Sequence, residues 1–345
     1  MRLPRSLVRC RAPSGVAASC AALLLLAACG KPAAWGEENS LILIAADSLW
    51  EPLQDTTYAA LEPTLFTVRD EKKFVVTHVD PASDQMEDLR IFKQVLVFAT
   101  PDDPLLRKVA KRAGQEESLR VPSVFQATDV WARGQTVTAA VLDPREAAES
   151  WAVQLPAVLA MVESAFRERL RSRMFVTGPD TALARELSDS FGFSLVVPDV
   201  YRHVVRGDSL VVLRNDNPDP SQLIRSVLVT WREPPLERLD AEGAYAWREA
   251  VDDVEYNVPQ GIDTARGSER RFVVDGHEIL EATGVWSDEG GAVPAAGPFV
   301  DWLVQCPGRT YFLDAWLYAP NESKYEYLLQ LREILDSFRC GAPVS

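Results

Sequence analysis

The chain has 345 residues, 47% of them apolar and 25% charged, with a formal net charge of −14. That length suits two domains of ordinary size, and the composition excludes a disordered or fibrous chain. Arg2, Arg5, Arg9 and Arg11 are the charges of the first 28 residues, so the remainder keeps 32 basic residues against 50 acidic, a net −18. So acidic a surface repels phosphate backbones and anionic headgroups, which argues against nucleic acid as a partner.

The four arginines precede Val16–Ala28, an uncharged apolar segment. It is too short to cross a bilayer comfortably, which takes about 20 apolar residues, and it ends in small residues as a signal peptide does. Leu26-Ala27-Ala28-Cys29 resembles the lipobox of bacterial lipoproteins. The resemblance implies removal of residues 1–28 and a diacylglycerol on the Cys29 thiol; an ordinary signal peptide with a chance cysteine, or an uncleaved anchor, is the other reading. Two or three acyl chains hold far more firmly than one, at about 0.8 kcal/mol per buried methylene. Gly30 and Lys31, with no aspartate after the cysteine, resemble lipoproteins sent to the outer membrane, which implies a body anchored there and facing the periplasm. Residues 29–40, with Pro32 and two glycines, read as a flexible tether.

Leu41–Ala46 (LILIAA) predicts a strand, and Asp47-Ser48 caps a helix reaching Leu61. A strand-like segment spans Phe66–Val79. MEDLRIFKQVLVFAT predicts a helix running into a strand at Val95–Ala99, and Pro104 opens a basic helix through Ala113. SVFQATDVWARGQTVTAAVLDP shows two β-rich runs around Gly134. Beyond Pro144, Trp151, Leu155, Val158, Val162, Phe166 and Leu170 recur at steps of three or four, which puts them on one face of a long helix. Arg167, Arg169, Arg171 and Arg173 load its last turns, where cations suit the helix dipole. The expectation is a solvated helix end, with an anion site as the alternative.

A boundary near Met174–Pro179 divides an N-terminal domain, 41–173, from a C-terminal one, 174–345. The second begins with a predicted strand at Met174–Thr177 and a helix at Thr181–Phe191. Strands follow at Ser194–Arg206, Leu210–Asn215 and Leu223–Arg232, then a helix near Leu239–Tyr256 and a strand at Arg271–Trp286. GPFVDWLVQCPGRTYFLDAWLYAP repeats the earlier layout, two β-rich runs around Pro307-Gly308, before a helix with Tyr325, Leu328, Leu331, Leu335 and Phe338 on one face. The expected fold class is therefore α+β rather than a doubly wound parallel sheet. It has two α/β-sandwich-like halves, each ending in a β-hairpin and a long amphipathic helix, with a possible ancient duplication.

Once Cys10, Cys20 and Cys29 are assigned to the leader and its lipid, Cys306 and Cys340 remain, in an exported and oxidising setting. The strand Arg309–Tyr318 runs out by roughly 30 Å and a helix from Glu322 to Phe338 returns by roughly 25 Å. An antiparallel return brings Cys340 back to Cys306, which predicts a disulfide; two separate buried thiols are the alternative.

Catalytic signatures are missing: no G-x-S-x-G elbow, Gly-rich phosphate loop, C-x-x-C pair or H-E-x-x-H. No residue set points to catalysis, a metal or a cofactor. His78, His203 and His277 are far apart in sequence, and NDNPDPS at Asn215 reads as a hairpin turn, since Pro220 stands where a calcium loop needs glycine. Trp151, Trp286, Trp302 and Trp316 read as core. Trp131 differs, because the turn Arg133-Gly134-Gln135 follows at once: it either packs inward or, with Arg133, presents a binding surface.

DVWARGQTV, GPFVDW, YFLDAWLYAP, LREILDSF and the opening ILIAADSLW together resemble the uncharacterised bacterial lipoproteins grouped as domain of unknown function 4837 (DUF4837). The resemblance spans nearly the whole mature chain. It implies an exported lipoprotein of two α+β halves and no established activity. The final strand–helix unit is also similar to the photosystem II extrinsic P-subunit fold, a likeness of fold alone. Two functions follow as expectations. One is a non-catalytic binding or assembly module, lipid-anchored through Cys29 and meeting an envelope protein partner. The other is an envelope hydrolase using carboxylates gathered by the fold, such as Asp129 and Asp301.

Overall fold

The computed structural model describes residues 30–116, 119–255, 260–265, 267–288 and 294–341. Cys29 and the leader before it lie outside the described residues. Seven strands build the first half: β1 (Ser40–Ile44), β2 (Thr64–Phe66), β3 (Asp70–Lys72), β4 (Val75–Val79), β5 (Gln94–Ala99), β6 (Ser123–Thr128) and β7 (Thr136–Val141). Its helices are α1 (Asp47–Trp50), α2 (Gln54–Leu61), α3 (Met86–Leu89), α4 (Pro104–Ala113) and α5 (Ala147–Met174). The helix expected over 47–61 is split at Pro52, whose ring cannot continue a helix from the preceding turn. α4 carries its own start and stop: the Asp103 carboxylate accepts from Leu105 N at 2.7 Å, Pro104 opens the helix, and Gly114 closes it at φ 68°.

The five main strands form one sheet in the order β4-β1-β5-β7-β6. β1 pairs β4 and β5 in parallel, β5 pairs β7 in parallel, and only the β6–β7 hairpin is antiparallel. This corrects the expectation for the first half, whose sheet is mostly parallel and covered on both faces. Leu41, Leu43, Leu96 and Phe98 point to α5 on one face, and Ile42, Ile44, Val95 and Val97 to α4 on the other.

The second half holds α6 (Thr181–Phe191), α7 (Ala241–Glu255) and α8 (Lys324–Leu335). Its strands are β8 (Phe193–Ser194), β9 (Arg202–Arg206), β10 (Leu210–Asn215), β11 (Ile224–Arg232), β12 (Gln260–Asp263), β13 (Glu269–Val274), β14 (His277–Asp288), β15 (Ala295–Cys306), β16 (Arg309–Tyr318) and β17 (Arg339–Cys340). β12-β14-β15-β16-β11-β10-β9 is one antiparallel sheet, with β13 also on β14. The hairpin-plus-helix unit thus occurs twice, but the two sheets do not share a strand order. The strand expected at Met174–Thr177 is instead the end of α5 and a turn. That expected over Ser194–Arg206 survives only as β8 and β9, since Pro198 lacks the ladder's N–H. NDNPDPS is the β10–β11 connection, as expected.

Five layers result, in the order α4, first sheet, α5 with α8, second sheet, α7. α8 is shared. Its Leu331, Ile334 and Leu335 belong to the core of the second sheet, while Leu329 enters that of the first beside Phe166 and Leu170. Among the described residues, the buried members of the five apolar clusters run from Leu41 to Phe338. The α+β class holds for the whole. Cys306 and Cys340 are joined as a disulfide, their Cα atoms 5.8 Å apart, which ties the end of α8 to the β15–β16 turn.

The tether does not hang free throughout. Ala34 N donates to Arg133 O at 2.9 Å and Arg133 N to Pro32 O at 2.8 Å; Trp35 N reaches Ile91 O, and Lys93 N reaches Trp35 O. From Pro32 the chain is laid along the N-terminal ends of β5 and β7.

Candidate functional site

The arginine series on α5 organises the junction of the two halves. Residues four apart share a helix face, so Arg167 and Arg171 form one pair and Arg169 and Arg173 another. The first pair converges on Glu333 of α8: Arg167 Nη1 lies 3.3 Å from one carboxylate oxygen and Arg171 Nε 3.0 Å from the other. The second pair converges on the buried Glu38, with Arg173 Nη1 at 3.1 Å and Arg169 Nε at 3.7 Å. Lys93 is a third cation on the same carboxylate. The helix end is solvated as expected at Arg167, Arg171 and Arg173, which stay exposed, and it is also paired with acids from both halves, with Arg169 the partly buried member.

Below this cluster opens a cavity of about 750 Å³, walled by Phe166, Tyr325 and Tyr327 and edged by Lys93, Arg173, Glu38 and Glu326. Arg173 Nη1 also donates to Glu326 at 2.8 Å, so two carboxylates share one guanidinium nitrogen. Burial pushes the Glu326 carboxyl above the usual range, against the pull of Arg173 and with a further push from Glu38. Burial likewise raises the Tyr325 hydroxyl to about 12. A second cavity of about 400 Å³ shares Glu38, Lys93 and Arg173 and runs to the β6–β7 turn at Asp129 and Arg133. Its wall includes Arg169, which donates to the side chain of the buried Gln94. Burial lowers the Arg169 pKa, with Glu38 opposing. Gln94 in turn donates to Val162 O at 2.8 Å, which anchors the start of β5 to α5.

Of the two readings of Trp131, inward packing is the one found, so Trp131 does not join Arg133 in a surface. Trp131 is only 6% exposed and packs inward among Val130, Val137 and Val109, and its backbone N–H donates to the buried Gln135 side chain at 3.0 Å. Arg133 alone is exposed, at the rim of the second cavity. The expected carboxylate pair is not assembled either. Asp129 ends the β6 turn, accepting from Gly134 N at 2.6 Å, whereas Asp301 is fully buried in the second sheet. There it stands directly across from Asp314, beneath the fully buried Arg248 of α7 at 3.6 Å from Asp314. Burial raises the Asp314 carboxyl above its usual range, Arg248 opposing. Asp301 and Asp314 are thus enclosed between β15, β16 and α7, far from the Asp129 turn.

Another buried carboxylate, Glu281, takes both arms of Arg270 at 2.8 and 2.9 Å, Arg332 of α8 at 2.7 Å and Trp302 Nε1 at 2.9 Å. Burial works against its charge, but these donors hold its pKa below the usual range. Glu71 of β3 completes the junction. Its carboxylate accepts from Lys324 N at 3.0 and 2.9 Å and from Tyr325 N at 3.0 Å, capping α8 across more than 250 residues of sequence. His78 contacts Ala45 O and stacks on Trp50, and His277 contacts Gln305 O. Among the described residues, no group of three or more His, Cys, Asp or Glu is placed to hold a metal ion. Among them, too, no helix is long and apolar enough to cross a membrane.

Fold and cleft together define an α+β protein of two sheets whose halves meet around a shared helix and a charged, aromatic-walled cavity. Over residues 180–337 the chain matches the family model described as Domain of unknown function (DUF4837), as its C-terminal motifs imply. The matching segment holds GPFVDW, YFLDAWLYAP and nearly all of LREILDSF, while ILIAADSLW and DVWARGQTV lie outside it. No curated protein matches. Among solved structures the chain is similar to the solution structure of cyanobacterial PsbP (CyanoP) from Synechocystis sp. PCC 6803, at 16% identity and a TM-score of 0.31, over 43% of this chain and 86% of that one.

Proposed function

We propose that this is a lipid-anchored, non-catalytic binding or assembly module of the cell envelope, held through Cys29 and engaging its partner by the cleft between its halves rather than by Trp131. The observation that carries the reading is the 750 Å³ cavity, to which both halves contribute charged side chains and α8 contributes two tyrosines. Concave sites that combine an apolar wall with a few convergent polar groups are the usual form of a binding site. An extended peptide segment of an envelope partner fits this mixture, its apolar groups against Tyr325 and Tyr327 and its charges on Arg173 and Glu326. A photocrosslinker at Tyr327, on the cavity wall, should trap one defined species in cells, and Arg173→Glu should abolish the adduct while the fold persists. Adducts spread over unrelated neighbours, or unchanged by Arg173→Glu, would count decisively against it.

An envelope hydrolase is the second reading, resting on Glu326 and Glu38 rather than on Asp129 and Asp301. The shared Arg173 and the raised Glu326 carboxyl favour it, since an acid must hold its proton near working pH. It requires product release from envelope fractions that Glu326→Gln removes.

A further inference from the structure

The net charge conceals a local exception. Helix α4 carries Arg107, Lys108, Lys111 and Arg112 and no acid, and its buried residues Leu106, Val109 and Ala110 turn all four cations outward. The helix is pinned to the β6–β7 turn: Arg112 Nε donates to Thr128 O at 2.9 Å, and Lys108 lies over the Trp131 ring at 5.9 Å. Lys31 donates to Asp129 O in that same turn, and Arg133 is bonded on both sides to the N-terminal segment. The acids at the margin are Asp129, 3.8 Å from Arg112, Glu168 of α5, Glu116 just past α4, and Glu37. The geometry follows from the parallel sheet. Strand N-termini and helix C-termini share one end, so cations favoured at the close of α4 and α5 collect where the N-terminal segment is laid.

Trp35 adds a second kind of group. It is 52% exposed within that segment, propped on Phe92 with ring centroids 4.6 Å apart. Half-exposed tryptophans beside cations are the side chains found at bilayer interfaces.

We infer that this end of the first sheet is a docking face for an anionic bilayer surface, with Lys31, Arg133 and the outer face of α4 against the headgroups and Trp35 at the interface. Where the chain leaves the body decides the occupant. Cys29 stands two residues before Lys31 and three before Pro32, where the chain is already bonded down, so a lipid on Cys29 leaves a span of about 10 Å. This face then cannot swing away from the membrane. The position of the bilayer rests on the lipid-anchor reading, while the charge and the tryptophan stand without it.

The test uses the body from Gly30, which lacks Cys29 and any lipid but keeps every buried core residue among those described, with vesicles of phosphatidylcholine alone or with roughly 30% phosphatidylglycerol. Binding to the anionic vesicles alone is expected, lost at ~0.5 M salt as screening shortens. The triple variant Arg107→Gln, Lys108→Gln, Lys111→Gln should weaken it on the order of a hundredfold. Removing Arg145, Arg185 and Arg238, exposed elsewhere, should leave it intact, and thermal unfolding confirms that each variant is folded. Equal binding to both vesicle types, no binding to either, or a triple variant that binds like the parent overturns the inference. Mass spectrometry of the full-length protein from membranes tests acylation of Cys29 separately, so an unmodified cysteine sinks the anchor and not the face.

Discussion

Helix α8 owes its start to a residue in the other half. Ser323 stands at its N-cap position without a side-chain cap, and the Glu71 carboxylate receives the Lys324 and Tyr325 amides instead. Lys324 is 4% exposed and Glu71 8%, so water has little access if the carboxylate goes. Loss of a cap costs about 0.5–2 kcal/mol, and an anion at a partly buried helix N-terminus contributes up to about 2 kcal/mol more. Glu71→Ala should therefore destabilise the protein by about 3 kcal/mol. Glu71→Gln keeps one acceptor and loses the charge, so it should cost roughly half as much. Urea unfolding followed by circular dichroism reads both as shifts in midpoint at constant slope. Hydrogen exchange should show earlier opening of α8 and of the β2–β3 hairpin together. If Glu71→Ala stays within about 0.5 kcal/mol of the parent, or opens one half alone, Glu71 is not the cap of α8.

Two further outcomes are expected. The Glu281 pKa is depressed in the folded state, so its contribution is present above the ordinary glutamate value and is lost as pH falls from there through the folded value. Glu281→Gln should cost about 2–3 kcal/mol at neutral pH and flatten the acid limb of the stability curve; an unchanged acid limb refutes the assignment. The disulfide closes a separation of 34 residues, and Cys306→Ser with Cys340→Ser should lose about 3–4 kcal/mol on the chain-entropy view. Peptide mapping without reductant that found both thiols free would remove that prediction at its source.

The second half is legible in the sequence because its punctuation is local. Gly276 and Gly308, at φ 81° and 82°, mark hairpin turns between long β-rich runs, and α6 begins at a capping Asp180 and ends at Gly192. The parallel sheet of the first half is harder to read, because its crossovers include helices as short as α1 and α3, which interrupt the strands weakly. A signal is present: LILI in β1 and QVLVFA in β5 are buried almost throughout, the mark of a parallel sheet covered on both faces. The site is harder still. Arg167, Arg169, Arg171 and Arg173 are visible as a series, but their partners Glu38 and Glu333 lie about 130 residues before and 160 after. Nothing local to Glu71 marks it as the cap of a helix at the far end of the chain. Trp131 is ambiguous for a related reason, since the turn after it is visible in the sequence but its packing against Val109 of α4 is not.

The sharing of α8 also has a consequence for synthesis. A ribosome delivers the first sheet and α5 long before Leu329, so the inner face around Phe166 and Leu170 must wait, uncovered, for almost the last segment made. A truncated chain ending near residue 173 would carry the same exposed face permanently.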